Sequence, residues 1–215
     1  VFPPYWDNLT TAGRQLIGGV GLQWAAFDRV SDVLAAVPGK IVLQTEHQCG
    51  NYPWVDAAAS AEAANSGTFW ADYAPNNYNY AKESWALLKK WIAAGVNGYS
   101  AWNMVLDHDG FNLDLARPWP QNSLISFNDD GSKNVTPYYY VFRHLSQYAD
   151  AGGKRIQATG GDALAFKNPD GSIVTIIYNS GAAMDMTVSV GGNMVTFPMP
   201  ADGWATLNTP APATP

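Results

Sequence analysis

The sequence predicts an α/β unit over residues 1–150, a small antiparallel β-sandwich over 151–209 and a Pro-rich tail at 210–215. Three observations carry this. Apolar strand-like runs alternate with helical repeats as far as Tyr148, the pattern of parallel βαβ units. Beyond Gly152-Gly153 the helical period disappears and short β-rich segments follow one another. Turn signals separate those segments, the clearest being Asn168-Pro169-Asp170-Gly171 and Gly191-Gly192.

In chain order, the first dozen residues, with Pro3-Pro4, read as irregular or as the tail of an earlier helix. Leu16 to Trp24 is a Gly-rich buried strand. Phe27, Val30, Val33, Leu34 and Val37 then recur at helical spacing, with Asp28 as N-cap and Pro38-Gly39 as the stop. Ile41 to Glu46 is a second strand, expected to be buried on both faces as in a parallel sheet. Ala81, Trp85, Leu88 and Ile92 mark a helix ending at Gly95, and Gly98 to Leu106 reads as a third strand. A helix from Pro137 to Tyr148 follows, turning Val141, Phe142, Leu145 and Tyr148 inward. The β-segments fall at 154–159, 163–168, 172–180, 184–190, 193–200 and 204–208. Three strand-helix units do not close a (β/α)8 barrel, which takes about 250 residues. The front unit is either a small open sheet or the C-terminal portion of a larger barrel.

Composition narrows the function. A formal net charge of -6 argues against a nucleic-acid partner, which needs a basic footprint. No apolar stretch approaches the roughly 18 residues of a membrane span. A single cysteine excludes an intrachain disulfide. The 9 Trp, 11 Tyr and 8 Phe suit a carbohydrate partner, whose apolar ring faces stack on aromatic side chains. The start at Val1 reads as a processed or excerpted chain, and the Pro-rich ending suggests a secreted enzyme.

Glu46 is the candidate reacting group. It ends an apolar strand, where a barrel opens onto its active site, and a loop rich in Gly, Asn, Pro and Trp follows it. As an anion it would act as a nucleophile, kept ionised by hydrogen bonds from Gln44, Thr45 or loop amides. A plain strand-end glutamate in a surface ion pair is the competing reading. Trp54, in the loop, either lines a leaving-group subsite or packs the loop. Asp107 and Asp109 flank His108 without completing a ligand set, so no metal and no cofactor are expected. His47 and Glu46, adjacent on a strand, point to opposite faces. Cys49 reads as buried and inert, and His144 as a packing residue.

Ordered motifs resemble glycoside hydrolase family 30: Thr45-Glu46-His47, then Ala101-Trp102-Asn103-Met104-Val105-Leu106, then Arg117-Pro118-Trp119-Pro120-Gln121-Asn122-Ser123, and finally Pro137 to Tyr148 with Lys154-Arg155-Ile156 behind it. The resemblance runs from about Leu16 to the last strand. It implies the last three strand-helix units of a (β/α)8 barrel fused to a β-sandwich. It also implies hydrolysis of β-glycosidic bonds with retention, as in the glucosylceramidase and endo-β-1,6-glucanase subgroup. Carried over by position, Glu46 matches the nucleophile, Trp102 the aromatic floor of the sugar site and Trp119 the loop aromatic beside it. Asn122 matches a polar sugar contact, and Trp24 the aromatic ending the sixth barrel strand. Two features depart from the family pattern. Gln23-Trp24-Ala25 stands where the family often has His-Trp-Tyr, and the Asn-Glu-Pro-like motif of the acid/base glutamate is absent. Glu62 and Glu83 match neither role. The expected partners are therefore a carbohydrate and the N-terminal half of the same barrel, without which this chain is expected to be inactive. The competing class is a non-catalytic carbohydrate-binding or accessory module.

Overall fold

The structure, a computed structural model, describes residues 2–47, 78–107 and 121–211. The chain divides into two compact units, Val1–Tyr139 and Tyr140–Pro215. The division falls inside a helix, whereas the change of sequence pattern near residue 151 marks the end of helical periodicity.

The front unit begins with two short helices, α1 (Phe2–Asp7) and α2 (Thr11–Leu16). Thr10 caps α2, its side chain accepting from the Gly13 amide at 3.1 Å. The strands β1 (Gly19–Gln23), β2 (Ile41–Glu46) and β3 (Gly98–Tyr99) form a parallel sheet in that order. Between β1 and β2 the expected helix is in two parts, a 3-10 helix (Trp24–Arg29) and then α3 (Val30–Ala36). Asp28 lies inside the 3-10 segment, and Arg29 occupies the N-cap position of α3 with no side-chain cap bond. The tighter turn brings the Phe27 ring edge-on to Trp91 at 5.3 Å between centroids.

The helix α4 (Tyr78–Ala94) buries Tyr80, Ala81, Ser84, Trp85, Leu88, Trp91 and Ile92, a stripe at helical spacing. Gly95 ends it with φ at 107°, a conformation that favours glycine. Asn97 then locks the chain to β2, donating its amide to the Val42 carbonyl at 2.7 Å and accepting from the Val42 amide at 2.8 Å.

Two strand expectations are corrected here. β2 is not buried on both faces: Val42 and Gln44 are enclosed, while Ile41 and Leu43 are 54% and 39% exposed. One face of this three-stranded sheet is therefore open. The run 98–106 is not one strand either. It pairs with β2 as far as Ser100, then changes partner. The Asn103 amide donates to the Asn122 carbonyl at 3.1 Å, and the Asn103 carbonyl accepts from Leu124 at 3.0 Å. Beyond this crossing, β4 (Val105–Asp107) runs parallel to β5 (Ile125–Phe127), which forms a hairpin with β6 (Lys133–Val135).

The helix α5 (Pro137–Ser146) crosses into the second unit, which is otherwise β-structure. Its strands are β7 (Lys154–Ile156), β8 (Asp162–Lys167), β9 (Ile173–Asn179), β10 (Met184–Val190), β11 (Asn193–Met199) and β12 (Gly203–Thr209). The order β12-β9-β8-β7 makes an antiparallel four-stranded sheet, and β10-β11 is a two-stranded ribbon. Leu164, Phe166, Val174 and Ile176 are buried along the centre of the larger sheet. Gly191 and Gly192, with φ of 58° and 86°, form the two-residue turn of the ribbon, a type I′ geometry that demands positive φ at both places. Pro198 sits in β11 opposite Asp185.

One turn design is used twice. In Asn128-Asp129-Asp130-Gly131-Ser132 and in Asn168-Pro169-Asp170-Gly171-Ser172, the Asn amide donates to the Ser carbonyl at 2.9 Å and the Gly amide returns to the Asn carbonyl at 2.9 Å. In each, the Ser amide donates to the Asp side chain at 2.8 Å. The bonds from Ser132 and Ser172 hold both carboxyl groups below the usual aspartate range.

Candidate active site

The site is built where β1 and β2 end side by side. The β1–β2 register shifts by one residue between Leu22 and Gln23, so Gln23 pairs with Glu46 and Thr45 is the extra residue, a β-bulge. Cross-strand partners share a face. The Gln23 side-chain amide accordingly donates to the Glu46 carboxylate, Nε2 to Oε2. This donor differs from the ones expected from sequence. Gln44 gives its amide to the Glu46 backbone carbonyl, and Thr45 gives its hydroxyl to the Leu22 carbonyl at 3.1 Å. The Glu46 carboxylate is thus half-exposed and hydrogen-bonded at the mouth of the sheet.

Behind it, His47 is fully enclosed. Its amide donates to the Ser100 carbonyl at 2.9 Å. The Ser84 hydroxyl donates to the Tyr80 carbonyl at 2.7 Å and lies 3.3 Å from Nε2 of His47, so Nε2 carries the imidazole proton. Nδ1 then accepts from the Tyr99 hydroxyl. Tyr80, Tyr99 and Tyr138 surround the ring at centroid distances of 5.9, 5.5 and 5.5 Å. Burial pushes the His47 pKa down to about 3, leaving a neutral imidazole at ordinary pH. Burial, and then Tyr138 beside it, raise that of Tyr99. Burial also raises the Glu83 carboxyl above its ordinary range.

On the other side of β2, the segment running through Ser100 reaches Trp102. Tyr138 seats it with one hydroxyl, which accepts from the Trp102 amide at 3.1 Å and donates to the Trp102 carbonyl at 3.2 Å. The peptide bond between Trp102 and Asn103 is cis. Oε1 of the buried Gln121 accepts from the indole Nε1 of Trp102 and from Nδ2 of Asn103, each at 2.9 Å. Asn103 Nδ2 also donates to the Asn122 carbonyl at 3.2 Å. Asn122 is fully enclosed.

The structure therefore brings Gln23 and Glu46 into direct contact, and it links Trp102 to Asn122 through Gln121 and Asn103. Trp24 opens the 3-10 helix, but its side chain lies outside the described residues, as do Trp54, Trp119, Cys49, Glu62, His108 and Asp109. Gln121, Asn103 and Tyr138 were not singled out from sequence. The available signal was position: Gln121 and Asn103 stand beside Asn122 and Trp102 in the motifs. His144 lies in the second unit and meets the Thr206 hydroxyl through Nδ1 at 2.8 Å. Among the described residues no three His, Cys, Asp or Glu side chains come together as a metal site. No helix among them is long and apolar enough to cross a membrane. A cleft of about 350 Å³ opens within the sandwich unit, lined by residues such as Ala163, Thr175, Ile177, Met186 and Val188.

Residues 152–207 match the model of the Glycosyl hydrolase family 30 beta sandwich domain. Among solved structures, the chain overlays SrfJ from Salmonella typhimurium with a TM-score of 0.73 at 17% identity, covering 94% of this chain and 43% of that one. It overlays the endo-β-1,6-glucanase BT3312 with a TM-score of 0.72 at 19% identity, covering 98% of this chain and 44% of that one. The catalytic domain of GH30 xylanase C from Talaromyces cellulolyticus gives 0.57 at 14% identity, covering 94% and 47%. The fold is shared with these proteins, and the chain spans less than half the length of each. No curated protein sequence matches the chain. The resemblance to family 30 read from the motifs agrees with both comparisons.

Proposed function

We propose that this chain, whose residues 152–207 are a family 30 glycoside hydrolase β-sandwich domain, is the C-terminal part of a retaining β-glycosidase. In this reading residues 1–150 are the last three strand-helix units of a (β/α)8 barrel. The open face of β1 and β2, with Ile41 and Leu43 exposed, is the side the remaining barrel would cover. The observation that carries the reading is the Glu46 carboxylate, held by Gln23 at the end of a parallel strand and flanked by the segment that carries Trp102.

Glu46 attacks the anomeric carbon, and Trp102 is the floor on which the sugar ring rests. Gln23 aims the carboxylate through its side-chain amide. Asn122 is the polar residue beside the floor; being enclosed, it also ties down Asn103 through its carbonyl. Trp24, Trp54 and Trp119 complete the sugar-binding aromatics. Retention requires a second carboxyl about 5–5.5 Å from the first, to give a proton to the leaving oxygen and later take one from water. That acid comes from the N-terminal half of the barrel, so residues 1–215 alone do not turn over substrate. The substrate is a β-glucan or β-glucoside, with β-1,6-glucan the first to assay.

The test uses the full-length protein. Glu46→Gln lowers kcat on aryl β-glucosides by at least about 10³-fold while the protein stays folded. In Glu46→Gly, azide restores part of the turnover. A Glu46→Gln protein that hydrolyses as fast as wild type would leave the chain a binding or accessory module.

A further inference from the structure

β1 and β2 alternate their faces and then break step. Leu22, Val42 and Gln44 are buried on the covered face, while Gly19, Gly21, Ile41 and Leu43 lie on the open one. Strict alternation would carry Glu46 to the covered side with Val42 and Gln44. The bulge at Thr45 cancels that step and returns Glu46 to the open side, opposite Gln23.

Thr45 is held in the bulge by its hydroxyl, while its methyl occupies the space beside it. Its hydroxyl donates to the Leu22 carbonyl at 3.1 Å, at the point where the ladder is interrupted. Its methyl fills the space over Gly21, where an added Cβ would lie 2.7 Å from Thr45 Cγ2. Turning Thr45 to make room withdraws the hydroxyl from Leu22, and moving its backbone shifts the residue that carries the carboxylate.

We propose that Gly21 and Thr45 are a positioning pair: Gly21 leaves the space in which the bulged threonine is seated, and the seated threonine aims the Glu46 carboxylate at Gln23 and the open face. The catalytic consequence rests on the reading of Glu46 as nucleophile; the geometry can be read without it. Neither residue is charged or aromatic, and both act through Glu46.

The test is a double-mutant cycle in the full-length protein with Gly21→Ala, Thr45→Ser and the pair combined. Thr45→Ser keeps the hydroxyl and deletes the methyl. The Cβ added at position 21 then meets Oγ at 3.7 Å and the position-45 Cβ at 3.8 Å, which are ordinary contacts. Gly21→Ala alone is expected to lower kcat on an aryl β-glucoside about 100-fold with KM within about threefold, as for a misplaced reacting group. Thr45→Ser loses at most about threefold, and the double variant recovers to within about threefold of it. A second readout is independent of turnover. With glutamine side chains labelled with 15N, the Gln23 amide signal follows Glu46 ionisation in wild type, loses that dependence in Gly21→Ala and regains it in the double variant. A double variant that folds yet stays as impaired as Gly21→Ala overturns the pair, as does a Gly21→Ala protein with unchanged kcat and unchanged Gln23 signal. If Glu46→Gln remains active, the catalytic reading fails, and the Gln23 signal alone decides whether the pair positions the carboxylate.

Discussion

Around an apolar core that includes Val33, Val42, Trp85 and Leu88, the front unit also encloses Gln44, His47, Ser84, Gln121, Asn122, Ser123, Ser126 and Thr136. In the sandwich unit the enclosed side chains are mainly Leu164, Phe166, Val174, Ile176 and Ile177, with Asn168, Ser172, Thr175 and Asn179 as the buried polar residues among those described. An apolar core stabilises through area removed from water and tolerates small shifts. A buried polar cluster stabilises little on net, because each bond replaces one to water, but it is costly to misalign. The difference is where the buried polar groups sit: those of the front unit hold specified geometry around Glu46 and Trp102, whereas Asn168, Ser172 and Asn179 fix turns between the strands of the sandwich.

Four experiments probe that contrast, beginning with the largest effect. Glu46→Gln removes turnover by at least about 10³-fold with little change in the unfolding midpoint, whereas a core change in the sandwich does the reverse. Ile176→Ala is that change. It costs about 3 kcal/mol of sandwich stability, read from the denaturant midpoint, and leaves kcat of the folded protein unaltered.

The third experiment is acidification. The folded pKa of His47 is about 3 against 6.5 for the free group, so between those values the unfolded chain binds a proton that the folded one refuses. Stability of the front unit is then full above pH 6.5 and falls by about 1 kcal/mol per unit of pH below it. Hydrogen exchange at the Val42 and Ile176 amides, followed from pH 7 to 4, should show the loss at Val42 and not at Ile176. His47→Gln should flatten the slope at Val42.

The smallest effect compares the two copies of the turn. Asn168 is buried, donates to the Tyr148 carbonyl at 2.9 Å and accepts from the Asp150 amide at 3.0 Å. Asn128 is exposed and bonds Ser132 Oγ at 2.9 Å. Asn168→Ala is expected to cost about 2 kcal/mol and Asn128→Ala about 0.5 kcal/mol in thermal melts. Equal losses would mean that burial does not separate the copies.

The same two turns show why some of the fold was legible in the sequence and some was not. Asn168 to Ser172 joins long strands that alternate or run apolar, so the turn and its strands announce each other. Asn128 to Ser132 has the same chemistry between strands of three residues, too short to carry a period. The break at Ser100 was hidden for a related reason: an apolar run does not reveal that its backbone changes partner at Asn103. At the site, the candidates in plain view were a carboxylate and large aromatics. The Gln23 bond to Glu46 depends on a one-residue register shift, and the Gln121 clamp on two segments meeting in space. Neither leaves a spacing to find.

Pro198 bears on how these molecules behave in a crowd. The two-residue turn makes Val190 and Asn193 a hydrogen-bonded pair, and alternation from there puts Asp185 and Pro198 at a pair whose backbone groups point away from each other. Pro198 thus withholds an N–H from the outer border of β11, where an incoming strand of another molecule would seek one. Proline at such a place is a guard against edge-to-edge stacking. Replacing it with valine would complete a row of donors on a strand whose Met194 and Val195 are 73% and 44% exposed, and would give this ribbon a route to fibrils.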